Sequence, residues 1–307
     1  MKNFILSLFL MFSMAATAAI PTRPEPLNLL SQEVYNPKVF TLDDSDWRWL
    51  GNKRELTVAV WQPEIPPLAI FSGEGHFEGM IADYIFLVSQ YLGIKLQMQR
   101  FPNREAAMEA LLQQQVDMVA DPSGKDIPLH SDLTPSKNFI SDHPVLVHRK
   151  KGSGIPFQYR QGMRLAIARW YVDDSWIEEN FPGVRIMHFN TDDQALASVA
   201  FDENDFYIGN LVTTSYLLER NYSHYLTLQQ VYPARDTGSH FVLRKEDEVL
   251  TRIVNRVLDS IPRTQQQVIL QQWRVNKPVE FSETEKNGWR STRAWRYRSM
   301  PSMHRLP

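Results

Sequence analysis

Cysteine is absent from the chain. That gap excludes disulfide staples, thiolate nucleophiles, zinc–cysteine sites and a lipid-modified cysteine anchor. An excess of one charge is missing too. The 33 basic residues stand against 35 acidic ones, a net of -2, whereas a whole-chain nucleic-acid binder carries a basic surplus. After the N-terminal segment, no apolar run approaches the roughly eighteen residues that span a bilayer. The histidines form no H-E-x-x-H pattern, and neither G-x-S-x-G nor a P-loop occurs. His143, His148 and His188 read as strand or turn residues, and Asp126, His130, Asp132 and Asp142 as a solvated polar loop. Spacing assembles no nucleophile, base and orienter. The expectation is therefore no enzyme, no catalytic residues, no metal, no cofactor and no nucleic-acid partner. What is present is 43% hydrophobic against 22% charged residues over 307 positions. That mix suits a globular chain with room for one large or two modest domains.

The first residues read as an address. Lys2 gives a positive start, Ile5 to Phe12 is an apolar run too short to span, and Ala16-Thr17-Ala18 supplies the small-x-small cleavage pattern. Residues 1–19 are expected to be a Sec signal peptide, which sends the mature chain to the periplasm as a soluble protein. Residues 20–41, rich in Pro, Asn and Ser without period, read as a leader. A short helix is expected around Asp43 to Leu50.

Strands and helices then alternate. Leu56 to Val60 is an apolar strand. Ile81 to Leu92 has helical spacing and stops at Gly93. Ile94 to Phe101 alternates as a strand, Arg104 to Gln114 favours helix, and Val116 to Ala120 is a third strand. The order recurs downstream, with strands at 164–168, 184–189 and 205–209 and helices at 172–181 and 191–201. Phe101 precedes Asp117 by 16 residues and Phe189 precedes Asp205 by 16. A βαβαβ unit used twice predicts two α/β lobes with right-handed crossovers. Pro144 to Arg149 reads as a strand leaving the first unit, and His240 to Arg244 as a strand that returns. Val249, Ile253, Val257 and Ile261 then share a helical face. The expected lobe one is 52–146 plus 242–275, and lobe two 152–236. Two crossings make a hinge with a cleft.

Several segments in this order resemble a known family. Leu56-Thr-Val-Ala-Val60, Pro66-Pro67-Leu68, Phe77-Glu-Gly-Met80, Ala82-Asp83-Tyr84 and Val116-Asp117-Met118-Val119 are similar to family 3 periplasmic solute-binding proteins. Trp49-Leu50, Gly79 to Tyr84 and Trp170-Tyr171 resemble, more narrowly, the Venus-flytrap sensor domains of BvgS/EvgS-type hybrid histidine kinases. The resemblance covers 42–275. It implies a type II periplasmic-binding fold that closes over a small ligand. The function it implies is sensing for a two-component kinase. Alternatives are a free solute-binding protein of an ABC transporter and, further off, a dehydratase or lyase on the same fold. A second flytrap domain or a dimer partner is a further expectation for the parent.

Against the amino-acid binders of that family the chain departs three times. No arginine lies in 118–148, where Lys125 and Lys137 are the fixed cations. Asn210 stands where an acidic residue would hold a ligand amine. Trp170-Tyr171-Val172-Asp173-Asp174 replaces a Gly-Thr helix start. An ordinary α-amino acid held by an arginine clamp is not expected. Loops at the C-terminal ends of parallel strands line such crevices. They offer Trp61, Gln62, Phe71, Asp121, Ser123, Trp170, Tyr171, Asn210 and Thr213 as candidate ligand contacts. This aromatic and neutral mix suits an uncharged or cationic ligand. Trp61 and Trp170 either line the cleft or plug it.

From Asn287 onward the chain carries five arginines and no acid. Residues 276–307 read as an irregular tail. Back-translated and read one base out of register, 287–306 can reproduce the Trp-Leu start, the Leu-x-Val-x-Val strand and the final Pro-Pro of Trp49 to Pro67. The expectation is a second flytrap domain begun out of frame, on a truncated chain without kinase.

Overall fold

The computed structural model describes residues 24–31, 40–73, 75–127, 132–150, 157–232, 235 and 238–273. The expected signal peptide, most of the leader and the tail from 274 lie outside them. In chain order the first lobe holds β1 (Glu25–Leu29), α1 (Asp44–Lys53), β2 (Glu55–Trp61), β3 (Ile70–Ser72), β4 (His76–Glu78) and α2 (Met80–Leu92). It continues through β5 (Lys95–Phe101), α3 (Arg104–Leu112), β6 (Met118–Asp121), β7 (Leu133–Pro135) and β8 (Ile140–Ser141). The second lobe holds β9 (Pro144–Arg149), β10 (Arg164–Ala168), α4 (Asp174–Asn180), β11 (Arg185–Phe189), α5 (Asp192–Ala200) and β12 (Phe206–Asn210). After these come α6 (Leu211–Leu217), a π-helical turn at Leu218–Tyr222, and β13 (Leu226–Val231). The chain returns through β14 (Gly238–Arg244), α7 (Glu248–Ser260) and α8 (Arg263–Gln272).

Among the described residues the strands form two sheets. The first runs β3-β4-β1-β5-β2-β6-β14-β7, with β8 also on β14; the second runs β11-β10-β12-β9-β13. The strands β5-β2-β6 and β11-β10-β12 are the parallel cores of the two lobes. The repeat seen in the sequence has a physical basis. Asp117 takes the Thr57 amide on its carboxylate at 2.8 Å, and its own amide donates to the Thr57 carbonyl at 2.9 Å. Asp205 does the same to Arg164, at 2.7 and 2.9 Å. Each aspartate thus sets the register of the third strand against the first. The intervening helices are capped alike: Asn103 accepts from the Ala106 amide, and Thr191 from the Gln194 amide.

Two segments differ from the sequence reading. Pro144–Arg149 pairs with β12 and β13, so this strand belongs to the second sheet and the outward crossing falls at 142–143. Its Pro-Val-Leu-Val run is apolar enough for a strand interior in either lobe, so composition could not assign it. The stretch read as an irregular leader contributes β1, which pairs antiparallel to β5 and parallel to β4. Five residues are too few for a period to stand out.

Glycine is required before α2. Gly79 has φ 119, and a Cβ there would lie 2.7 Å from the Leu68 carbonyl oxygen. This close approach lets the Met80 and Ile81 amides donate to the Pro67 and Leu68 carbonyls, which satisfies the first turn of the helix. The core of the first lobe is aromatic at its centre. The Phe139 ring lies 4.8 Å from both Tyr84 and Phe241. Phe241 is fully buried, whereas Phe201, at the end of α5, is 78% exposed. Phe241→Ala is expected to cost about 3–5 kcal/mol in urea denaturation and Phe201→Ala about 0.5 kcal/mol at most. Equal losses would contradict this packing.

Candidate functional site

Each crevice loop follows from where a parallel strand ends. A cavity of about 670 Å³ lies between the lobes at the C-terminal ends of β2, β5, β10 and β11. Lobe one lines it with Trp61, Gln62, Asn103, Arg104 and Lys125; lobe two with Arg169, Trp170, Asp173, His188 and Asn190. Of the nine candidates, Trp61, Gln62 and Trp170 reach this cavity.

The others serve nearby. Asp121 is wholly buried and holds Arg104 Nε at 2.7 Å on one oxygen and the Ser123 amide at 3.0 Å on the other. Ser123 and Thr213 are buried. Phe71 packs on Phe77 with Arg100 above its ring, outside the cavity lining. Asn210 caps α6 through its side-chain oxygen, which accepts from the Val212 and Thr213 amides. Trp170 is anchored from behind: its indole N–H donates to Asp192 at 2.6 Å, and Asp192 also accepts the Tyr207 hydroxyl at 2.7 Å. Trp170 is therefore a fixed wall that reaches the cavity with one edge.

A buried polar network joins the lobes behind this wall. Asp142 lies on the outward crossing and Arg235 on the return. The Asp142 carboxylate accepts from Asn210 Nδ2 at 2.7 Å, from the Tyr171 hydroxyl at 3.1 Å and from Arg235 Nη1 at 3.4 Å. The Arg235 amide donates to the Asp142 carbonyl at 2.9 Å, and its Nη2 to the Gly124 carbonyl at 2.9 Å. The Gly124 amide in turn donates to the Tyr171 carbonyl at 2.9 Å. A Cβ at Gly124 would fall 2.1 Å from Arg235 Nη1, so a side chain there would push the guanidinium aside. Burial raises the Asp142 pKa above its ordinary value even though Arg235 and the donors pull it down. Burial likewise raises Asp192, and pushes the Tyr171 and Tyr207 hydroxyls well above theirs. Both tyrosines therefore stay protonated and act as donors.

The sequence reading missed the cations. It looked for arginine in 118–148, while Arg104, Arg169 and Arg235 come from outside that window. Lys125 does line the cleft; Lys137 instead pairs with Asp259 on an exposed face. Arg104 and Asn190 were findable. Each follows the second parallel strand of its repeat, a loop position the candidate list left unused. Three lining residues each carry a buried side-chain nitrogen with no hydrogen-bond partner among the described residues: Trp61 Nε1, Arg104 Nη2 and His188 Nδ1. The lining is therefore more charged than the neutral set expected from sequence, with Arg104, Lys125 and Arg169 balanced by Glu105, Asp173 and Asp174. Acidic groups sit at the lobe-two edge. Asp173 lies 4.0 Å from Lys125, and Asp174 lies 3.1 Å from His188.

The chain belongs to the bacterial extracellular solute-binding proteins, family 3, whose family model matches residues 56–276. It is 32% identical over 259 residues to the virulence sensor protein BvgS of Bordetella pertussis, covering 84% of this chain and 21% of that protein. It is 30% identical over 252 residues to the sensor protein EvgS of Escherichia coli, covering 80% of this chain and 21% of that one. The chain thus spans about a fifth of the length of these relatives. The crystal structure of the B. pertussis BvgS periplasmic domain superposes with a TM-score of 0.72 at 28% identity, covering 87% of this chain and 53% of that chain. The fold is therefore the two-lobe flytrap, and its relatives are sensor domains and solute-binding proteins.

The Asp142–Arg235 pair generates a stability prediction. Arg235→Met leaves a buried carboxylate without its cation and is expected to cost about 3–5 kcal/mol. Asp142→Asn in that background removes the stranded charge and recovers most of the loss. Urea midpoints of the four proteins decide it, and an unchanged Arg235→Met would remove the pair from its structural role.

Proposed function

We propose that this chain is a periplasmic ligand-sensing flytrap domain of a two-component sensor kinase, and that it binds a small molecule rather than transforming one. The observation that carries the reading is the interlobe cavity. Its walls come from both lobes, so an occupant changes the free energy of closure. Its lining brings Lys125, Arg169 and Asn190, none of them buried, as donors for acceptor atoms on a ligand. Similarity to the BvgS and EvgS sensors over most of this chain supports sensing over uptake.

The ligand is not an ordinary amino acid clamped by arginine. Arg104 is already held by Asp121 and Arg235 by Asp142, and the other lining arginine, Arg169, follows β10 in lobe two rather than the third strand of lobe one. Asn210 is spent on capping α6 and on Asp142, and carries no charge for an ammonium.

A thermal-shift screen of small metabolites tests the site. A ligand at 100 times its Kd adds about 2.7 kcal/mol. Glutamate, glutamine and arginine are expected to leave the melting temperature unchanged, while the true ligand raises it and loses affinity in Trp61→Phe. A clear rise with any of the three amino acids would overturn the ligand reading. Sensing is tested in cells: deletion of the gene is expected to abolish a transcriptional response to the ligand and leave its uptake intact. The reverse pattern would make the chain a transporter's binding protein.

A further inference from the structure

A second cavity, separate from the cleft just described, lies where α2, the outward crossing, α6 and α8 meet. It encloses about 450 Å³, within the range of small-molecule sites. Met80 and Tyr84 of α2 form one wall together with Phe139, whose ring lies 4.8 Å from Tyr84. Leu211 of α6 faces them from lobe two, and Leu270 and Trp273 close the side nearest α8. The polar side chains Ser141, His143, Ser215, Tyr216, Glu219 and Gln266 bring hydroxyl, imidazole, carboxylate and amide groups.

Charge selects the occupant. Glu219 is the acidic group of the lining, which holds no lysine or arginine. It stands exposed in the π-helical turn and forms no ion pair among the described residues. The adjacent Arg220 donates to the Tyr216 hydroxyl at 2.8 Å and lies over that ring. An anionic ligand would meet Glu219 unfavourably, and a strongly polar one would leave the aromatic wall unused. We propose that this cavity binds an arylalkyl amine, with its apolar body against Tyr84, Phe139 and Leu211 and its ammonium on Glu219.

Such an occupant has a mechanical consequence. It touches both lobes near the crossings and also the last helix. Trp273 is fixed through its indole N–H to Asp83 at 2.7 Å, and Asp83 also accepts the Ser31 hydroxyl at 2.8 Å. The wall is therefore tied to the residues just after β1 and just after α8. The amine favours the lobe arrangement in which these walls stand at their present spacing, and so couples to cleft closure.

The probe is 2-phenylethylamine, with 3-phenylpropanoate as its charge-reversed match. Melting temperature and tryptophan fluorescence are read on the full chain, on Glu219→Gln, on Leu270→Trp and on Trp61→Phe. Leu270 is 41% exposed, so the larger ring is tolerated while it fills the cavity. The amine is expected to raise the melting temperature and quench fluorescence, and the propanoate to do neither. Affinity falls about threefold in Glu219→Gln, as an exposed ion pair allows, vanishes in Leu270→Trp and is unchanged in Trp61→Phe. Three outcomes overturn the proposal: no response to the amine, equal response to the propanoate, or an affinity untouched by Glu219→Gln. Binding lost in Trp61→Phe but kept in Leu270→Trp would place the amine in the cleft and also overturn it.

Discussion

The two crossings between the lobes are clipped together by one buried ion pair, and the site is arranged around it. Asp142 and Arg235 meet through their side chains and also through the backbone. A buried pair of this kind does little for net stability against an apolar alternative, because desolvation offsets the attraction. What it does is fix geometry. Asp142 orients Tyr171 and Asn210 in lobe two, and Arg235 holds the Gly124 carbonyl in lobe one. The lobes are therefore bridged by polar contacts at the crossings, and the cavity lies at the ends of β2, β5, β10 and β11.

The same economy of polar ties builds each lobe. Asp117 and Asp205 lie 16 residues after Phe101 and Phe189, and each fixes the third parallel strand to the start of the first. Strand register decides which residue emerges at the carboxyl end. In lobe one those ends deliver Trp61, Asn103 with Arg104, and Asp121. In lobe two they deliver Trp170 and Asn190. The cavity lining is the direct output of two copies of one register device.

The fold was legible because its signals are local. Helical spacing with Gly93 as a stop gave α2, and the Phe–Asp interval gave the repeat. Helix α7 buries Ile253 and Val257 as their spacing required. The assignment of Pro144–Arg149 was not legible, because pairing partners of a hinge strand are set by tertiary contacts that a run of apolar residues does not encode. The site was legible in part for the same reason. Trp61, Gln62 and Trp170 follow from the crevice rule. Asp121, Tyr171 and Asn210 were placed near the right loops, but their partners are Arg104 and Asp142, at sequence distances of 17, 29 and 68 residues, and Arg235, the cation of Asp142, lies 93 residues from it. No pattern in a single sequence links groups that far apart. A candidate that caps a helix or buries an arginine looks identical, in sequence, to one that touches ligand.

These partnerships set the energy scale on which a ligand works. The direct contacts across the cleft are few. Gly124 donates to the Tyr171 carbonyl, the Asp126 amide approaches Asp173 at 3.4 Å, and Lys125 stands 4.0 Å from Asp173. A neutral hydrogen bond contributes about 1 kcal/mol net, and a half-exposed ion pair about 0–1 kcal/mol. Together these polar contacts contribute a few kcal/mol at most, beside an apolar core that runs from one lobe into the other. A ligand present at 100 times its Kd supplies about 2.7 kcal/mol. The polar contacts and the ligand's contribution are therefore of similar size. A domain whose own contacts were much stronger would stay closed at any ligand level, and one with none would respond only to tight binders. Weak polar ties of this order suit the sensing role proposed above, and they come from leaving the cleft to Lys125 and Asp173 between two buried tryptophans, while the Asp142–Arg235 pair ties the crossings together.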